Sequence, residues 1–181
     1  MPRYVALFRG INVGKAKRIA MDDLRQLLGK LGFRDVQTLL NSGNAVFAAR
    51  ATSATRIATL IRTSVQRELG VDALVVVKSA GDIAAVMADN ELEDVASDDS
   101  RLLVALSGDP GALIGLRKLA RQDWGAERLQ VGKHAAYLWC AQGILESKVA
   151  DALLGGLKDT GTTRNWSTLR KIHRALGSDD S

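Results

Sequence analysis

Val36-Gln37-Thr38-Leu39-Leu40-Asn41-Ser42-Gly43-Asn44-Ala45-Val46-Phe47-Ala48 is the stretch whose reading decides the fold. Residues 36–40 and 45–48 read as strands, and Asn41-Ser42-Gly43-Asn44 between them are residues that tolerate positive φ, so the strands fold back as a tight hairpin. On the N-terminal side, residues 21–31 place Leu24, Leu27, Leu28 and Leu31 at i, i+3, i+4 and i+7 behind Asp22 and Asp23, with Gly32 as the stop. That pattern predicts an amphipathic helix. Residues 4–8 before it are a hydrophobic strand, and a second helix over about residues 53–69 carries Ile57, Leu60, Ile61 and Val65 on one face. Gly70 then leads into the apolar run of residues 73–77. The order is β-α-β-β-α-β, a ferredoxin-like split unit with two helices on one face of an antiparallel sheet, and the fold class is α+β.

The second half partly repeats this layout. A helix over residues 82–88 precedes a strand at residues 102–106, a helix opened by Asp109-Pro110, and a hairpin of residues 129–131 with 135–140 around Gly132-Lys133. A further helix covers residues 147–154, which makes a second β-α-β-β-α unit without a residue-level repeat. A last helix starts near Thr162 and carries Trp166, Leu169, Ile172, His173 and Leu176 along one side, followed by a frayed polar tail beyond Gly177. The predicted division is a ferredoxin-like subdomain at 1–78, a helix and acidic linker at 79–100, a second subdomain at 101–156, and a C-terminal helix region at 157–181 that packs back on the body.

Composition narrows the function classes. With 46% hydrophobic and 25% charged residues among 181, the chain is an ordinary globular protein rather than a disordered one. No apolar run approaches the roughly 18 residues of a membrane span, and no secretory h-region precedes Arg9, so a cytoplasmic protein without a membrane partner is expected. The single Cys140 cannot form an internal disulfide, in keeping with a reducing compartment. The formal charge of +5 is unevenly spread: residues 1–78 hold 13 basic and 5 acidic groups, a net of +8, against 12 basic and 15 acidic in the remainder. A basic first half favours an anionic partner. Arg25, Lys30, Arg34, Arg56, Arg62 and Arg67 read as solvated faces.

The candidate site follows from strand alternation. In a β-α-β-β-α-β unit the loop after the first strand and the turn between the second and third lie at the same end, so residues 9–18 and 41–44 should face each other. Together they supply Arg9, Gly10, Asn12, Gly14, Lys15, Lys17, Arg18, Ser42, Gly43 and Asn44, a set dominated by hydrogen-bond donors such as an oxyanion or phosphate needs. The competing reading has Arg9 paired with a carboxylate and the asparagines serving their own turns. A second candidate is Thr162-Thr163-Arg164-Asn165-Trp166, where Thr163, Arg164 and Asn165 would stand at an exposed helix N-terminus able to receive an anion. There a Thr N-cap and a docking Trp are the alternative. His134, His173 and Cys140 lack zinc spacing, so no metal and no cofactor is expected, and Cys140 reads as an inert core thiol. Gly14-Lys15 lacks the spacing of a P-loop, and no Gly-x-Ser-x-Gly elbow is present.

Arg9-Gly10-Ile11-Asn12-Val13-Gly14, Asn41-Ser42-Gly43-Asn44, Gly143-Ile144 with Ser147-Lys148, and Thr162-Thr163-Arg164-Asn165-Trp166 together resemble the motifs of the bacterial "domain of unknown function 1697" family, over nearly the whole chain. The resemblance implies a small soluble bacterial α+β protein without an established activity. Lys15 stands where a second Gly is common in that family, and Asn90-Glu91-Leu92 replaces an Asn-Pro-Phe-like segment.

Three functions compete. One is binding of a phosphate-bearing small molecule or nucleotide, extending to phosphate-ester or acyl-phosphate hydrolysis in which Asn12, Asn41 or Asn44 positions a water. Acylphosphatases offer an analogy, with an Arg-bearing loop after the first strand of a ferredoxin-like unit, but their loop wording is absent here. Nucleic acid binding is less favoured, because only 4% of residues are aromatic and residues 45–48 lack the RNP1 wording of an RNA-binding sheet. The third is a non-catalytic interaction module, including contact with a second copy of the chain.

Overall fold

The computed structural model describes residues 1–177; the polar tail from Ser178 lies outside the described residues. The elements in chain order are β1 (Arg3–Phe8), α1 (Met21–Lys30), β2 (Arg34–Leu39), β3 (Asn44–Ala48), α2 (Ala54–Leu69), β4 (Val75–Ser79), α3 (Ala80–Ala88), a 3-10 turn (Asp99–Arg101), β5 (Leu102–Ser107), α4 (Pro110–Ala120), β6 (Arg128–Val131), β7 (Ala136–Trp139), α5 (Lys148–Leu157), β8 (Gly161–Asn165) and α6 (Trp166–Gly177). They form two compact units, the first being Met1–Ile83 with the segment that starts at Lys171, the second Ala84–Arg170.

In the first unit the antiparallel sheet runs β2-β3-β1-β4. Alternate residues of its strands, among them Tyr4, Ala6, Phe8, Ala45, Phe47, Val75 and Val77, pack against Leu24, Leu27 and Leu28 of α1 and Ile57, Ile61 and Val65 of α2. Each large apolar side chain buried this way contributes about 1.5–3 kcal/mol. Phe47 stacks on Phe33 with ring centroids 4.5 Å apart. The α2 helix is closed at both ends: the Ser53 hydroxyl accepts from the Arg56 amide, and Gly70 at φ 69° ends it in the left-handed form. Leu60 departs from the expected apolar stripe. It is 45% exposed, because the buried face of α2 runs through Ile57, Ile61, Ser64 and Val65 and leaves Leu60 at its margin.

The second unit repeats the layout, with sheet order β6-β7-β5-β8 and a core in which Leu103, Ala105, Ala136 and Leu138 meet Leu113 and Leu116 of α4 and Val149, Leu153 and Leu157 of α5. Asp109 and Ser147 cap α4 and α5 through their side-chain oxygens. One expectation is corrected here: residues 162–165 are not the start of a helix but the strand β8, with Thr162 opposite Leu106 and Thr163 opposite Ala105. β-branched threonines suit a strand, and β5 offers a free edge to pair with, so pairing wins over the helical continuation. The cap of α6 is Asn165, whose Oδ1 accepts from the Thr168 amide at 2.9 Å. With β8 included, both units are β-α-β-β-α-β and both sheets have the same relative strand order.

Candidate functional site

The ends of β1 and β3 bring the two expected loops together. The Phe8 amide donates to the Gly43 carbonyl at 2.9 Å and the Arg9 amide to the Leu74 carbonyl at 3.0 Å, so the loop after β1 leaves the sheet beside the β2–β3 turn. Asn12 then joins the two segments. Its Nδ2 donates to the carbonyls of Asn41 (2.8 Å) and Ile19 (2.9 Å), while its Oδ1 accepts from the Ile19 amide (2.8 Å). Its own amide donates to the Lys17 carbonyl at 3.0 Å, and the Arg18 guanidinium donates to the carbonyls of Asn12 and Gly14 at 3.1 and 3.3 Å. The loop is therefore irregular but held through Asn12 and Arg18. Ile11 anchors it as a buried plug, 1% exposed.

Its backbone alternates. Gly10, Asn12 and Gly14 have φ of 70°, 57° and 66°, with Ile11 and Val13 between them outside the positive region. Anion-binding concavities in proteins use alternation of right- and left-handed residues to turn successive amides toward one side. Among the described residues the amides of Val13, Gly14 and Lys15 donate to no other group. Lys15 and Lys17 are exposed, and Lys17 is close enough to contribute, after the Arg62 hydrogen bond and the Arg62 charge, to holding the Asp72 carboxyl below its ordinary range.

The asparagines serve the scaffold. Asn44 is the first residue of β3, fully buried, and its Nδ2 donates to the Leu39 carbonyl at 2.7 Å and to the Ser42 hydroxyl at 3.1 Å. The left-handed residues of the turn are Leu40 (φ 62°) and Gly43 (φ 93°), not Asn41 or Asn44, because the Asn44 side chain stabilises the turn from within the strand. Thr163, Arg164 and Asn165 belong to the second unit. Arg164 is 8% exposed and donates to the Thr162 hydroxyl (3.0 Å) and the Thr163 carbonyl (2.8 Å); burial lowers its pKa to about 10. Asn165 is occupied as the α6 cap.

The strands β1 and β3 are buried on both faces, Val5, Leu7 and Val46 included, so a sheet-surface stacking platform has no exposed aromatic there. Cys140 is buried, and burial raises its pKa to about 11. Among the described residues no three His, Cys, Asp or Glu side chains gather closely enough to share a metal ion, and no helix is long and apolar enough to cross a membrane. A cavity of about 720 Å³ lies elsewhere in the first unit, at the α1–β2 turn, and Arg34, Arg50 and Arg56 line it. The sequence reads Arg34 and Arg56 as solvated faces, and both are exposed; the cavity they share with Arg50 left no signal in any one stretch of sequence.

Comparison with known proteins agrees with this architecture. The model of the family described as "Protein of unknown function (DUF1697)" matches residues 1–137. The conserved bacterial protein SP0830 from Streptococcus pneumoniae has a similar structure, with a TM-score of 0.74 and 23% sequence identity, over 97% of this chain and 98% of that one. At that identity the likeness speaks for the fold. No curated protein matches the sequence.

Proposed function

The chain belongs to the DUF1697 family, and from that premise we propose that its loop of residues 9–18 binds a phosphate-bearing small molecule. The observation that carries this reading is the alternating φ of Gly10, Asn12 and Gly14 in a loop stapled by Asn12, which presents undonated amides beside Lys15 and Lys17. Oriented amides and two exposed cations form a preorganised site for an oxyanion, which loses little entropy on binding because the loop is already fixed. The reading is binding rather than hydrolysis. Of Asn12, Asn41 and Asn44, the groups that would position a water, Asn12 and Asn44 have their amides committed to carbonyls of the scaffold. The ferredoxin-like first unit and a cytoplasmic setting, where phosphate compounds and reduced Cys140 coexist, belong to the same proposal.

Isothermal titration with pyrophosphate and with nucleoside triphosphates tests it. Lys15→Ala and Lys17→Asn suit the purpose, the latter because Asn accepts the φ of 51° at Lys17. The double variant should bind the most tightly held of these anions at least tenfold more weakly, with an unchanged melting temperature. Equal affinity in the wild type and the double variant, or no binding by either, removes the loop as an anion site.

A further inference from the structure

We propose that the cavity at the α1–β2 turn is a second and separate site, which takes a single-chain amphiphile with a phosphate head, held by Arg34, Arg50 and Arg56 over an aliphatic floor. The cavity is about 720 Å³, within the roughly 300–1,000 Å³ of small-molecule pockets. Its floor is made by Leu31, Phe33, Ala49, Ile57 and Leu60, and its rim by three arginines from three segments: the start of β2, the residues after β3, and the first turn of α2. Met1 and Leu60, 57% and 45% exposed, are among the exposed large hydrophobics of the chain, and both line it.

Three features mark these arginines. Several other exposed arginines of this protein, though not all, pair with a carboxylate: Arg62 with Asp72 at 2.7 Å, Arg170 with Glu93 at 2.7 Å, Arg25 with Asp22. Among the described residues no carboxylate pairs with Arg34, Arg50 or Arg56, and Asp35 next to Arg34 does not either. Second, Arg56 sits in the first turn of α2, which has no acidic residue, where the helix dipole disfavours a cation. Third, the β2–β3 register shifts between Arg34 and Gln37, and Asp35 there has a φ of 51°; bulges of this kind re-aim a side chain. A local cost in helix and strand, met at one cavity rim, is what a functional site leaves in a sequence.

Charge and shape then select the ligand. Several guanidinium forks lining one cavity match the oxygens of a phosphate dianion better than a single carboxylate. The floor is mainly aliphatic, and its one aromatic ring, Phe33, is already stacked on Phe47. A second hollow of about 470 Å³ shares Arg56 and Leu60 and continues along α2 past Thr59 and Thr63, so a chain has room to extend.

Decyl phosphate below its micellar concentration is the probe, titrated calorimetrically against the whole protein beside decanoate, inorganic phosphate and decyltrimethylammonium. One equivalent should bind, at least tenfold tighter than decanoate or inorganic phosphate, and decyltrimethylammonium should not bind. Arg34→Ala should weaken binding about tenfold, the effect of losing one charge-assisted hydrogen bond. Arg56→Glu is the decisive variant, because it suits the helix N-terminus and should hold or raise the melting temperature while abolishing binding. Lys15→Ala should leave this binding unchanged, so failure of the loop site and failure of this one are separable. Equal affinity for the cationic amphiphile, binding retained in Arg56→Glu, binding to phosphatidate vesicles without binding of decyl phosphate monomers, or a ligand-free dimer broken by Leu60→Asp would each overturn the proposal.

Discussion

Gly43 lies so close to Ile11 that a Cβ built on it would stand 2.6 Å from Ile11 Cδ1 and 2.8 Å from Phe8 Cβ, on a backbone with φ of 93°. Overpacking a core contact and forcing an L side chain into the left-handed region act together there, so Gly43→Ala should cost about 2–4 kcal/mol. Gly14 has a similar backbone, φ of 66°, but nothing within 4 Å of its Cβ position. Gly14→Ala should therefore cost only about 1 kcal/mol, the conformational part alone. Urea denaturation of the two variants separates the contributions, and equal costs would show that the Ile11 contact yields freely.

The Asn12 side chain makes three hydrogen bonds, two as donor and one as acceptor. Asn12→Asp keeps the acceptor for the Ile19 amide and loses both donations, whereas Asn12→Ala loses all three. The carbonyls of Asn41 and Ile19 would then need water, and each lost bond is worth about 0.5–1.5 kcal/mol. Limited trypsin digestion is the sharper readout, because Lys15, Lys17 and Arg18 lie within the stapled loop. Cleavage there should be slow in the wild type and fast in both variants; unchanged protection would mean that Ile11, not Asn12, holds the loop.

The elements readable from the chain were those whose signal is local. Leu24, Leu27 and Leu28 recur at helical spacing, and the Asn41-Ser42-Gly43-Asn44 turn joins two strands, so α1, β2 and β3 follow from short windows. The meeting of the Arg9 and Asn41 loops also followed, because strand alternation constrains which ends are neighbours. β8 was hidden for the opposite reason. Its four polar residues owe their strand form to β5, more than fifty residues earlier, and the helical pattern of Trp166, Leu169 and Ile172 extends backward over them without a break. Side-chain commitments were left open: Asn12 and Asn44 could be read as site donors or as serving their own turns, and each points back into its own scaffold. The cluster of Arg34, Arg50 and Arg56 needs three separate segments to converge, which no single window records.

Because Asn165 rather than Thr162 caps α6, substitutions at the two positions should behave differently. Asn165→Ala removes the acceptor of the Thr168 amide at 2.9 Å and should cost about 1 kcal/mol, with loss of amide protection confined to the first turn of α6. Thr162→Ala should leave those amides protected and lower stability through β8 instead, since the Thr162 hydroxyl accepts from Arg164 at 3.0 Å in a buried setting. Hydrogen exchange resolved by residue distinguishes them; loss of α6 protection in Thr162→Ala would restore the helix-cap role.

Cys140 links stability to pH at the alkaline end. Burial is the main cause that raises its pKa to about 11; the Ser147 hydrogen bond opposes that shift and the Glu127 carboxylate adds to it. An unfolded thiol titrates near 8.5, so between roughly pH 8.5 and 11 the folded chain holds a proton that the unfolded chain releases. A pKa raised on folding supports the folded state fully below the unfolded value, and that support is lost as pH rises. Between pH 8 and 10 the wild type should therefore lose stability more steeply than Cys140→Ala, whatever the difference between them at pH 7. Tyr137 titrates above this window, burial raising its hydroxyl pKa. The same burial predicts that Ellman's reagent leaves the native thiol unmodified at pH 8 and reacts fully in urea. Parallel pH slopes in the two proteins, or rapid labelling of the native state, would place the thiol in contact with solvent.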